Sequence, residues 1–141
     1  MKKTIKSTIS IALSLLFLLS LVACNTVDKT GAWENAIYLK DKELGKGSKT
    51  IMVEVEAEDQ KVAFTIHTDK ETVGDALMEL DLIEGEEGAY GLYVKKVNGI
   101  TADYDTDKHY WALYIDGEYA MSGVDSTEVK DGVTYRLVRT K

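Results

Sequence analysis

Two dipeptides, Asn98-Gly99 and Asp116-Gly117, restrict this chain more than any other feature in it. Both central residues of a two-residue type I′ hairpin turn need a positive φ, which Asn, Asp and Gly adopt at little steric cost. Each dipeptide lies between apolar and aromatic runs, so Gly91–Ser126 reads as a set of tight hairpins. Around the turns lies most of the chain's aromatic surface: Tyr93, Tyr104, Tyr110, Trp111, Tyr114 and Tyr119. An aromatic, hairpin-rich segment with no recognisable catalytic signature reads as a binding surface rather than a catalytic site.

The flanking segments supply the rest of the fold. Thr50–Ala57 alternates, with Ile51, Val53 and Val55 on one face and Met52, Glu54 and Glu56 on the other, the pattern of a half-buried strand. Val62, Phe64 and Ile66 repeat it, and the polar run Glu58–Lys61 between the two makes a hairpin. The period then changes. Thr72-Val73-Gly74-Asp75 has the form of a capping box. Val73, Ala76, Leu77 and Leu80 follow as the apolar stripe of one short helix ending near Leu82. The Gly-rich GEEGAYG after it reads as a loop. Further strands are expected near Leu92–Val97, His109–Ile115, Tyr119–Met121 and Val133–Val138, with Asp131-Gly132 as the last turn.

In the second of these strands, His109, Trp111, Leu113 and Ile115 share a core-facing side and Tyr110, Ala112 and Tyr114 the other. Gly31–Lys49 is irregular and reads as an arm packed on the domain, with a flexible GKGSK. Strands, one helix and strands again, without βαβ alternation, define an α+β class with a single helix packed on a mixed or antiparallel sheet.

The first 23 residues read as a targeting segment: a basic start, then the apolar run Ile11–Ala23, too short to span a bilayer, which takes about 20 apolar residues. Leu21-Val22-Ala23-Cys24 resembles the bacterial lipobox. That resemblance implies cleavage before Cys24 and a diacylglycerol thioether on it. Cys24 is the only Cys in the chain and has no disulfide partner. Two acyl chains, at about 0.8 kcal/mol per buried CH₂, anchor a protein stably. The expected organisation is therefore a lipoprotein signal peptide over 1–23, a lipidated Cys and tether over 24–30, and one extracytoplasmic domain over 31–141.

Charge excludes one class of partner. Lys and Arg number 17 against 24 Asp and Glu, a net charge of −7. The first 23 residues hold three Lys and no acid, so the remainder carries 14 against 24, or −10. Neutralising phosphates takes clustered Lys and Arg, and no cluster exists after the leader, so nucleic acid is excluded. Enzyme signatures are absent too: no GxSxG, HExxH or CxxC occurs, and neither GEEGAYG nor GKGSKT has phosphate-loop spacing. No enzyme activity is expected. Asp103, Asp105 and Asp107 begin like a Ca²⁺ loop. Lys108 and Tyr114 stand where an EF-hand needs Gly and Glu, which leaves a looser oxygen-ligand site or a solvated acidic loop. His67 and His109 lack zinc-site spacing.

Taken in order, TVGDALMELDLI, GLYVKKVNGITADYD, YWALYIDGEYA, GVDS and VKDGVTYRLV resemble a domain of unknown function found in bacterial surface lipoproteins. That domain is similar to the C-terminal β-domain of transcobalamin and intrinsic factor. The resemblance covers roughly residues 33–141. It implies a β-grasp-like fold of the soluble-ligand-binding type and a corrinoid (cobalamin-like) ligand. Transcobalamin closes its site with a large helical domain that this chain has no residues to form. Weak binding alone, or a transporter or surface protein completing the site, is therefore expected.

Tyr93, Tyr110, Tyr114, Tyr119 and Met121 are the candidate ligand-binding residues, offering rings with polar tips to a planar ligand. Aromatic residues also favour half-buried sheet faces for packing alone. Two alternatives accompany the ligand reading. One is a protein-interaction or surface-structural module; the other is a divalent-cation-binding lipoprotein using Asp103, Asp105 and Asp107.

Overall fold

A computed structural model describes residues 26–141. The signal segment and Cys24 lie outside the described residues. Two sheets form. The larger has six strands: β1 (Lys42–Gly45), β2 (Lys49–Ala57), β3 (Gln60–Thr68), β7 (Tyr110–Ile115), β8 (Glu118–Tyr119) and β9 (Thr134–Thr140), in the spatial order β1-β3-β2-β9-β7-β8. The smaller comprises β4 (Ile83–Gly88), β5 (Gly91–Val97) and β6 (Ile100–Thr101), with β5 central. Among the described residues there are also one helix of seven residues, α1 (Val73–Glu79), a single helical turn, α2 (Tyr104–Asp107), and two 3₁₀ turns, Gly31–Trp33 and Val124–Ser126. The α+β class holds, with a mixed sheet: β2 runs antiparallel to β3 but parallel to β9, and β1 runs parallel to β3.

Local sequence accounts for most of this. The β2–β3 hairpin keeps register from Lys49↔Thr68 to Ala57↔Gln60, so Ile51, Val53, Val55, Val62, Phe64 and Ile66 all face the core. Its turn residues, Glu58 and Asp59, both take positive φ, as do Asn98-Gly99 and Asp116-Gly117. The Thr72 hydroxyl accepts the Asp75 N–H at 3.2 Å and caps α1, whose Val73, Ala76 and Leu77 are buried. Gly74 touches the 3₁₀ turn Val124–Ser126: a Cβ there would lie 3.0 Å from the Asp125 Cα. The helix therefore packs directly on the GVDS loop.

Two segments differ from expectation. GEEGAYG is not a loop, because Ile83–Gly88 forms β4 and pairs antiparallel with β5. A register shift between Glu84 and Gly85 bulges the ladder, and a Cβ on Gly85 would lie 2.3 Å from the Tyr93 carbonyl, so only glycine fits. The arm is also more regular than expected. Thr26 bridges Lys40, Val27 is buried, and β1 makes an edge strand, so the polar tether expected to run to Thr30 is already part of the fold at Thr26. Trp33, fully buried, donates its indole N–H to the Ala57 carbonyl at 2.8 Å.

Candidate ligand groove

A groove of about 260 Å³ opens where the free side of β5 faces the β7–β8 hairpin. β5 contributes Leu92, Tyr93 and Val94; β7 contributes Tyr110 to Leu113; Tyr119 and the segment Ala120–Val124 close the third side. The groove exists because β8 is only two residues long. After Ala120, whose N–H donates to the Leu113 carbonyl at 2.8 Å, the chain leaves β7 and crosses toward β5.

Of the five side chains named from sequence, Tyr93, Tyr110, Tyr119 and Met121 line this groove, and Tyr114 does not. Tyr114 instead packs edge-on against Tyr119, with the Arg136 guanidinium 4.8 Å from its ring centroid. Met121 is 94% exposed and Tyr119 55%, an apolar rim that a folded interior would normally bury. The Tyr93 hydroxyl accepts the Tyr104 N–H at 3.4 Å, which orients its ring. Trp111, expected on the core side, is buried and belongs to the core, yet it also forms one wall of the groove.

A polar feature that the sequence does not reveal lies behind this wall. Among the described residues, two buried side-chain atoms have no hydrogen-bond partner: Trp111 Nε1 and Asp125 Oδ1. Asp125 Oδ2 accepts the N–H of the groove residue Leu92 at 3.0 Å. Unpaired buried polar atoms are uncommon in native folds and cost stability.

The three aspartates hold other partners. Asp103 caps α2 and lies 3.6 Å from Lys95 Nζ. Asp107 accepts the N–H groups of His109 at 2.8 Å and Asp103 at 3.1 Å, and pairs with Arg139 at 3.2 Å. Asp105 is exposed. Burial pushes the Asp107 carboxyl up, but those N–H donors and the guanidinium outweigh it and hold it below the ordinary carboxylate value. Hydrogen bonding to Glu86 raises the Lys95 ammonium against partial desolvation, and Asp103 adds to it. Among the described residues no group of three or more His, Cys, Asp or Glu is arranged to hold a metal ion. No described helix is long and apolar enough to cross a membrane.

The fold is that of a small two-sheet α+β domain, of the kind that forms part of haptocorrin. The structure of haptocorrin in complex with Cbi superposes with a TM-score of 0.53 at 21% identity, over 66% of this chain and 25% of that one, a likeness of fold alone. A crystal structure described as "a putative metal binding protein from Ruminococcus gnavus ATCC 29149" superposes with a TM-score of 0.63 at 34% identity, over 67% of this chain and 98% of that one. Residues 70–134 match the model of the domain of unknown function DUF4430, and the chain belongs to that family. No curated protein matches it.

Proposed function

We propose that this chain is a membrane-anchored extracytoplasmic lipoprotein, held by acyl chains on Cys24, whose groove between β5 and the β7–β8 hairpin binds a planar soluble ligand. A corrinoid is the specific candidate. The observation that carries the reading is the convergence of Tyr93, Tyr110, Tyr119 and Met121 on one groove, with their rims exposed. The haptocorrin likeness supports a β-grasp-like reading of the fold and supplies the corrinoid as candidate. At about 260 Å³ the groove lies just below the usual range of about 300–1,000 Å³ for a ligand pocket, as suits half a site closed by a transporter or surface partner.

The test is titration of the full chain in mild detergent with cyanocobalamin, following tryptophan fluorescence, since Trp111 forms a groove wall. A saturable change that Tyr119→Ala and Met121→Ala both weaken supports the reading. No change up to millimolar ligand removes the corrinoid. Anchoring is tested separately by Cys24→Ser, which should release the protein from the membrane fraction.

The description of the Ruminococcus gnavus protein favours a second reading, divalent-cation binding at Asp103, Asp105 and Asp107. It requires Asp103 and Asp107 to exchange Lys95 and Arg139 for the ion. A rise in melting temperature with Ca²⁺, lost when all three become Asn, supports it; an unchanged melting temperature ends it.

A further inference from the structure

The groove presents more than rings, and the following inference rests on its being a binding site. Alternate residues of β7 turn their main-chain groups to opposite edges. On the β9 side the Asp116 N–H donates to the Thr134 carbonyl at 2.8 Å; on the β8 side the Leu113 carbonyl accepts the Ala120 N–H. Two residues before Leu113, the N–H and C=O of Trp111 therefore point to the β8 edge, beyond the reach of β8. Neither finds a partner among the described residues.

β5 mirrors this arrangement. The Leu92 N–H points away from β4 toward Asp125, so Val94, two residues on, presents both of its main-chain groups to the same open side. They too have no partner among the described residues. Trp111 and Val94 both line the groove, and no lining residue carries a charged side chain. A carboxylate, phosphate or ammonium would find no counter-charge there.

An extended residue with a free N–H and a free C=O is matched by a group that sets an acceptor beside a donor. A primary carboxamide does this, and the molecule contains the pairing. Asn98 Oδ1 accepts the Tyr38 N–H and Asn98 Nδ2 donates to the Tyr38 carbonyl, each at 2.9 Å.

We propose that the groove is a carboxamide site. The main-chain pairs of Trp111 and Val94 hold neutral primary amides on the periphery of a ligand whose apolar body rests on Tyr93, Tyr119 and Met121. Specificity then lies in strand edges, which side-chain substitution cannot erase.

The experiment compares two neutral probes on one macrocycle, dicyanocobinamide with peripheral carboxamides and heptamethyl dicyanocobyrinate with methyl esters, on the full chain in detergent. The readouts are affinity and the amide resonances of Trp111 and Val94. The expected result is about tenfold or more tighter binding of the carboxamide, because each neutral hydrogen bond contributes roughly twofold to tenfold. Trp111 and Val94 should lead the resonance shifts. Equal or tighter binding of the ester overturns the carboxamide site and leaves the groove standing. So does amide-preferring binding whose shifts lie away from these two residues. Binding of neither probe removes the groove as a site, and this inference with it.

Discussion

Asp125 is tied to Leu92: its Oδ2 accepts the Leu92 N–H at 3.0 Å, joining the loop under α1 to the free edge of β5. Glycines make room for it, since a Cβ on Gly91 would lie 2.5 Å from the same oxygen. Asp125→Ala should lower stability by about 1.5–3 kcal/mol, the usual worth of a hydrogen bond to a charged group. Asp125→Asn, which keeps an acceptor, should cost less than half of that. Urea unfolding of both variants checks the ordering. Equal losses would mean that the bond to Leu92 contributes little.

Asn98 carries two duties at once. It sits at φ 52° in the β5–β6 turn, and its side chain pairs with both main-chain groups of Tyr38. Asn98→Gly relieves the backbone requirement but orphans the Tyr38 groups, at about 2 kcal/mol. Asn98→Ala adds left-handed strain of about 1 kcal/mol or more. Melting temperatures should therefore fall in the order wild type, Asn98→Gly, Asn98→Ala. A result in which glycine restores full stability would show the amide pairing to be dispensable.

Asp107 predicts a pH signature. Its folded pKa lies below the ordinary 3.8, so its contribution is fully present above that pH and fades as pH falls through the folded value. At neutral pH, Asp107→Asn should be less stable by roughly 1–2 kcal/mol, a figure kept small because the carboxylate is partly solvated. The gap to wild type should close below pH 3.8. Chemical denaturation at pH 7 and pH 3 measures it; a gap that persists in acid would assign the loss to packing rather than charge.

Tyr135 closes the turn before β9. Its buried hydroxyl donates to the Glu128 carbonyl at 2.8 Å and accepts the Lys130 N–H at 3.0 Å. Tyr135→Phe keeps the ring and strands both groups, so a loss of about 1–3 kcal/mol is expected. Burial raises the phenol above its ordinary 10.0, a shift that the Lys130 N–H opposes. The stability it supplies is whole below pH 10 and declines only as pH rises through the folded value. Phenolate absorbance at 295 nm during alkaline titration should show one tyrosine ionising late, together with unfolding.

The legible parts of this fold were those written with a local period. Ile51, Val53 and Val55 announce a strand, and Thr72 with Val73, Ala76 and Leu77 announces a capped helix. β4 was hidden because Gly85, Glu86, Glu87 and Gly88 have poor strand propensity; pairing with β5, through a bulge that only glycine permits, overrides it. β1 was hidden because its partner β3 lies some twenty residues on and runs parallel. Alternation along β7 separates faces, whereas the groove lies along an edge. Trp111 and Tyr110, on opposite faces, therefore share it, while Tyr114 turns to Tyr119 and Arg136. Side-chain period carries no information about where a neighbouring strand stops, and the end of β8 at Tyr119 is what opens the groove.

β9 lies in the middle of the large sheet, between β2 and β7. During synthesis, the β2–β3 hairpin and the β7–β8 hairpin can each assemble early, yet nothing joins them until Thr134–Thr140 emerges. Such a topology pays its loop-closure entropy late and couples distant parts of the chain. Without β9 the two hairpins would be half-domains with raw strand margins, ready to stick to neighbouring polypeptides. Leu137 of β9 lines the groove, so the groove takes shape only once that strand is in place.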